Sequence, residues 1–170
     1  MIHALVDRRQ TLQGIDWVQV RAKELEARPL LELVRWYLAQ SPRVIVNSRT
    51  DVAIVAGAAG VHLPAGSPDP RRVRKLAPPG FLIGVSCHSR AELEQAEQAG
   101  ADYAYLSPVF PSRSKADCRP PLGLDGFARL VSGLSIPVLA LGGLRREHLA
   151  DCQAAGAAGI AGISLARDEH

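Results

Sequence analysis

Short apolar runs recur along the whole chain, and each ends in a few polar residues or glycine before a stretch with helical spacing begins. Eight can be read: residues 2–6 (IHALV), 17–20 (WVQV), 43–46 (RVIV), 60–63 (GVHL), 81–85 (FLIGV), 102–106 (DYAYL), 136–141 (IPVLAL) and 159–163 (GIAGI). Between them lie helical patterns. From Pro29 to about Gln40, Leu30, Leu31, Leu33, Val34, Tyr37 and Leu38 make a broad apolar face. Shorter helices are predicted over 51–57, 71–76, 123–133 and 145–155. Ser89 can N-cap a helix because Glu92 follows three residues on; Leu93, Ala96 and Ala99 give that helix its apolar side, and Gly100 stops it. Only about ten residues separate the first two strands, near the lower limit for a crossover that contains a helix, so the first helix is expected to be stunted or absent.

Strictly alternating strands and helices predict a compact α/β (β/α)₈ TIM barrel, one domain over residues 1–170, with the first helix shortened and the last truncated. An open doubly wound sheet is the competing arrangement, but no G-x-G-x-x-G follows an early strand. Thin helical cover at the chain's start and end leads us to expect a homodimer.

Composition narrows the picture a little. The 170 residues are 47% apolar and 22% charged, a balance ordinary for a globular protein that builds its own core. No apolar run approaches a membrane span and no signal-peptide pattern opens the chain, so a cytoplasmic protein is expected. The net charge of +3 is small, and the one dense basic cluster (Arg71, Arg72, Arg74, Lys75) reads as a solvated helix face, so neither nucleic acid nor membrane is an expected partner. Three irregularly spaced cysteines suggest a reducing compartment and no structural zinc.

In a parallel barrel, chemistry sits just past the C-terminal ends of the strands. Gly142-Gly143 after strand seven, and Gly162, Ile163 and Ser164 at strand eight, are placed to bind phosphate through backbone N–H groups; the alternative is a tight strand-to-helix turn. Gln19, Arg21 and Lys23 alternate at the end of strand two, which points them to one side, toward a polyanionic substrate. Asn47 can reach the same ligand, whereas Arg49 reads as a surface residue. The segment 84–115 organises the chain, because two strand exits deliver Ser86 and His88 from one and residues 107–115 from the other. His88 is the histidine placed to act as acid or base, with Ser86 beside it. His62, inside a strand, reads as a core histidine. Lys115 reads as a lid lysine able to close on phosphate. Cys87 beside His88 is a poor nucleophile pair, since neighbours on an extended segment point apart.

The stretches VQVRAK, VIVNSRTDVAIVAGAAGVHLP, IGVSCHS, GADYAYLSPVFPSRSK, IPVLALGG and GAAGIAGIS together resemble the thiamine-phosphate synthase/TenI superfamily over nearly the whole chain. The resemblance implies a barrel of thiamine biosynthesis that acts on a small phosphorylated thiazole. It implies that Gln19, Arg21, Lys23 and Asn47 match pyrimidine-pyrophosphate binders, Ser86 and His88 a strand-five Ser-x-His, Lys115 a mobile-loop lysine, and Gly143, Ile163 and Ser164 a thiazole-phosphate site. Synthases of this family resemble N-D-R after strand three and G-Q-E-D after strand four, with two aspartates that hold magnesium; Ser48 and Ser67 stand there instead. Two hydroxyls serve a hard cation poorly. The H-L-P-A-G-S run resembles the TenI branch, which aromatises a carboxythiazole phosphate by moving a proton, although Pro108 occupies the place of that branch's histidine base. The reading favoured on sequence is therefore a metal-free, cofactor-free thiazole tautomerase with His88 and Ser86 as its catalytic pair. The alternatives are a thiamine-phosphate synthase, the one case that calls for Mg2+, and a non-catalytic thiazole-phosphate binding module.

Overall fold

A computed structural model describes residues 1–41, 43–111 and 119–166 of the chain. Eight strands, β1 (Ile2–Val6), β2 (Trp17–Val20), β3 (Val44–Asn47), β4 (Gly60–Leu63), β5 (Leu82–Cys87), β6 (Tyr103–Leu106), β7 (Val138–Leu141) and β8 (Gly159–Gly162), close in sequence order into a parallel barrel. β8 pairs back onto β1, which rules out the open sheet. The helices are α1 (Ala27–Leu38), α2 (Thr50–Ala56), α3 (Pro70–Arg74), α4 (Arg90–Gln98), α5 (Gly123–Val131) and α6 (Leu149–Ala154), with 3-10 turns at Arg146–His148 and Ser164–Ala166.

Strand boundaries shift from the sequence reading by no more than two residues, and local chemistry explains the shifts. β7 starts at Val138 because Pro137 has no N–H for the ladder, although its carbonyl still accepts from Ala104 N–H at 2.9 Å. α1 begins two residues before Pro29, which falls in the first turn, where a missing N–H breaks no intrahelical bond. The helix expected over 145–155 divides into a 3-10 turn followed by α6. No helix forms between β1 and β2. α1 covers that gap: Tyr37 donates its hydroxyl to the Arg8 carbonyl at 2.8 Å, and the Arg9 guanidinium lies over the Trp36 ring at 5.8 Å. Leu12 and Ile15 of the connection pack on the same core.

Two apolar layers wrap the outside of the barrel, one under α1, α2 and α3 and the other under α4, α5 and α6. A third, smaller cluster fills the interior, with Leu5, Ile45, Tyr103, Tyr105, Leu139 and Ala161 buried and Trp17 against them. Interior space is allotted residue by residue. A Cβ on Gly84 would lie 2.0 Å from the Tyr103 ring, so the glycine on β5 is what admits the tyrosine on β6. Among the described residues, no helix is long and apolar enough to cross a membrane.

Candidate active site

The barrel mouth is polar on two sides. On the first, Gln19 of β2 and Asn47 at the end of β3 both face inward from neighbouring strands and are buried. Gln19 donates its amide N–H to Asn47 Oδ1 at 3.0 Å, and Asn47 donates its own to Ser48 Oγ at 2.8 Å. That leaves Gln19 Oε1 a buried acceptor with no partner. Ser48 occupies the left-handed region at φ 64°, the one described non-glycine residue to do so, and its N–H reaches the His62 carbonyl at 2.9 Å. β2 ends at Val20, so the expected strand alternation carries Gln19 but stops short of Arg21 and Lys23. Arg21 is half-buried, with its N–H on the Val6 carbonyl, and its positive charge reaches His62; Lys23 is exposed in the turn that follows.

On the second side, β5 delivers Ser86 and β5's exit delivers His88, both half-buried. His88 Nδ1 lies 2.8 Å from the Ser107 carbonyl and 3.3 Å from its hydroxyl. The His88 backbone N–H donates to the Glu92 carboxylate, while Ser89 Oγ accepts from Glu92 N–H at 3.2 Å. The predicted capping box is thus half formed, with Glu92 reaching back one residue further than expected. Ser86 Oγ is 2.8 Å from His62 Nε2. Cys87 is buried, which together with Glu92 pushes its thiol pKa up to about 12, so a thiolate nucleophile is excluded near neutral pH.

The glycine exits lie alongside. Gly142 and Gly143 have φ of 99° and 66°, and a Cβ on Gly143 would come within 2.5 Å of the Pro111 carbonyl. They are glycines here because the chain leaving β6 lies directly on them, with Phe110 N–H donating to the Gly142 carbonyl at 3.0 Å. Pro108 follows a cis bond from Ser107, and its carbonyl accepts from Leu122 N–H at 2.9 Å. Gly162 is buried, Ile163 is exposed, and Ser164 donates its hydroxyl to the Leu144 carbonyl at 2.6 Å, tying the β8 exit to the β7 exit. Lys115 lies outside the described residues. Arg49 pairs at the surface with Asp51 at 2.6 Å, as expected.

Among the described residues, the donor set does not fit a protein-held magnesium. Asp69 is turned onto Arg71, whose guanidinium and backbone N–H bonds draw its pKa down to about 2, and Asp7 is exposed. Among the described residues no three carboxylate, histidine or cysteine side chains converge as a metal site.

Below Ser86 the structure adds residues that the sequence reading gave no functional part. His3, His62, Tyr103 and Tyr105 are all buried inside the barrel. His62 Nδ1 meets the Tyr103 hydroxyl at 3.2 Å, and His3 Nδ1 meets the Tyr105 hydroxyl at 3.0 Å. Burial pushes both imidazoles down to a pKa of about 3, so both are neutral. The signal was present in the inward positions of β1, β4 and β6, where His3, His62, Tyr103 and Tyr105 all face the axis.

The profile of the thiamine monophosphate synthase family matches residues 4–166, and the chain belongs to that family. A protein of Methanoculleus marisnigri named thiamine-phosphate synthase is 42% identical over 166 residues, covering 95% of this chain and 79% of the relative. Its namesake in Methanoregula boonei is 39% identical over 166 residues, with 95% and 77% covered. Among solved structures, thiamine phosphate pyrophosphorylase from Pyrococcus furiosus superposes with a TM-score of 0.79 at 28% identity, covering 94% of this chain and 83% of that one. The chain is a thiamine-biosynthesis barrel, and the relatives' names favour the synthase alternative over the tautomerase.

Proposed function

We infer that the chain is a thiamine-phosphate synthase, joining a pyrimidine pyrophosphate to a thiazole phosphate. The observation that carries this reading is Gln19: a buried amide fixed by Asn47, with its Oε1 left as an unpartnered acceptor at the barrel mouth. A buried acceptor without a partner costs about 1–3 kcal/mol, an arrangement that makes sense where a ligand supplies the donor, such as the amino group of a pyrimidine. A tautomerase has no use for that group. Arg21 and Lys23 follow Gln19 in the chain, where cations suit a pyrophosphate.

In the coupling, the thiazole nitrogen bonds to the pyrimidine's methylene carbon while that carbon's bond to pyrophosphate breaks, and the pyrophosphate leaves with the electron pair. The protein's part is to orient the pyrimidine through Gln19 and Asn47, and to stabilise the leaving charge through Arg21, Lys23 and the Ser86 hydroxyl. The glycine exits at β7 and β8 receive the thiazole phosphate in this reading.

One observation favours the second reading, a thiazole tautomerase. If His88 Nδ1 carries a proton to the Ser107 carbonyl, Nε2 keeps its lone pair and can act as a general base. Purified protein given pyrimidine pyrophosphate and thiazole phosphate separates the two. Thiamine phosphate with equimolar pyrophosphate is expected; no coupling, with aromatisation of the carboxythiazole by the same sample, establishes the tautomerase instead.

A further inference from the structure

Around β1 the barrel wall is covered without a helix of its own. Past β8 the described residues add only the 3-10 turn Ser164–Ala166, and the connection from β1 to β2 holds no helix. The 3-10 turn packs on β1, with Leu165 joining the apolar layer under α4, α5 and α6 and Ala166 the layer under α1, α2 and α3. Ile15 of the connection packs against both layers. Two short pieces thus close the seam, and each leaves backbone carbonyls that its own structure does not pair.

One side chain serves the carbonyls of both pieces. Arg146, in the 3-10 turn after β7, donates from Nη2 to the Gln13 carbonyl and, at 3.4 Å, to the Leu165 carbonyl; its Nη1 donates to the Gly14 carbonyl at 3.4 Å. Leu165 is buried, so a guanidinium at the end of its turn takes the place of water. Gly14 is fitted to this contact. It sits at φ 60°, and a Cβ there would lie 2.8 Å from Arg146 Nη1. A second tie runs from Ser164 Oγ to the carbonyl of Leu144, the residue after Gly143, at 2.6 Å. The Ser164 O–H is thereby committed inside the protein. What the β8 exit can offer a phosphate is backbone N–H groups, whose aim depends on how the turn is held.

We propose that Arg146 is a positioning residue for the phosphate site: by clamping the Leu165 carbonyl to those of Gln13 and Gly14, its guanidinium fixes the turn and with it the backbone N–H groups of Ile163 and Ser164 that receive the thiazole phosphate. Arg146 acts through the β8 exit. The inference rests on the reading of the β7 and β8 exits as the thiazole-phosphate site, but the clamp itself is set in the free protein.

Amide hydrogen exchange of the ligand-free protein reads the clamp. In Arg146→Ala the Ala166 amide, which donates to the Ile163 carbonyl at 3.2 Å, should exchange at least about tenfold faster while the β3 amides stay unchanged. Unchanged exchange at Ala166 overturns the clamp. Titration calorimetry then reads its consequence. Arg146→Ala should weaken thiazole phosphate binding about tenfold and leave pyrimidine pyrophosphate, assigned to the β2 and β3 side, within about twofold. Gly14→Ala displaces the guanidinium from across the seam, so it should weaken thiazole phosphate about fivefold, with no further loss when combined with Arg146→Ala. Arg146→Lys, whose single ammonium keeps the charge but cannot span carbonyls on both pieces, carries the same comparisons where Arg146→Ala is too unstable. Equal losses for the two ligands, or additive losses in the cycle, overturn the positioning role. Failure of the unmodified protein to bind the thiazole phosphate overturns the phosphate reading of the exits and the positioning role with it, while exchange at Ala166 still shows whether the clamp is there.

Discussion

The floor and the mouth of this barrel both bury polar side chains, and they treat them differently. On the floor, His3, His62, Tyr103 and Tyr105 spend their hydrogen-bonding capacity on one another and on Ser86, leaving a single atom unmatched, His3 Nε2. At the mouth, Gln19 and Asn47 are matched only far enough to hold still, and Gln19 Oε1 is a buried acceptor with no partner. Polar groups that complete each other fix a shape, and polar groups left open on a fixed shape are prepared for a ligand. The same residue type shows the contrast. His62 is fully buried with both nitrogens engaged, while His88 is half-buried at the rim with Nδ1 held by Ser107.

The largest test of that contrast is acid. The folded-state pKa values of His3 and His62, about 3, lie below the ordinary 6.5, so as pH falls the unfolded chain takes up these protons first. Their contribution to stability is complete above about pH 6.5 and is lost progressively toward pH 3, at about 1.4 kcal/mol per pH unit for each histidine. Urea midpoints at pH 7, 6 and 5 should fall steeply, and a flat profile would mean the floor is not sealed. Next in size is a paired comparison by urea unfolding. His62→Leu strands Ser86 and Tyr103 and should destabilise by about 3 kcal/mol, whereas Gln19→Leu removes an amide that already lacks one partner and should stay near about 1 kcal/mol. Equal losses would erase the distinction between floor and mouth.

A smaller effect concerns the missing acids. Placing Ser48→Asp and Ser67→Asp together should raise magnesium stimulation of pyrophosphate release from under about twofold to about tenfold, because two carboxylates supply the anionic oxygens that a hard cation prefers. Stimulation unchanged by the two substitutions would show that these positions do not face the pyrophosphate. Smallest of all, Arg49→Ala breaks an exposed ion pair away from both regions and should shift stability by less than about 0.5 kcal/mol.

Much of the fold was legible because the barrel's strands are short and apolar with polar exits, so alternation marks them even where helices are stunted. The gap between β1 and β2 was readable from spacing alone. What spacing could not supply was that α1 would reach over to cover it, because the Tyr37 to Arg8 contact spans 29 residues. At the site, Gln19 was singled out by period-two reasoning and Asn47 by its place after strand three, but the reach of that period was overestimated, since β2 ends before Arg21. The glycine pair after β7 was read for phosphate; the structure gives a packing reason for it, the β6 exit lying against its backbone. The floor escaped notice because each of its members is unremarkable singly. His62 was rightly read as a core histidine, yet only the closed register brings it to Ser86 and Tyr103. The tautomerase reading rested on the absent aspartates and on the H-L-P-A-G-S run, whereas the relatives' names favour the synthase alternative.

On the proposed synthase reading, the mouth at β2 and β3 recognises the pyrimidine pyrophosphate and the barrel couples it to the thiazole. Pyrophosphate release in the presence of both substrates, compared between Gln19→Ala and His88→Ala, tests this most directly. The synthase reading predicts at least about a hundredfold loss for Gln19→Ala, about 2.7 kcal/mol of transition-state stabilisation, and less than about tenfold for His88→Ala. A Gln19→Ala variant that still releases pyrophosphate at the unmodified rate, beside an inactive His88→Ala, would contradict it.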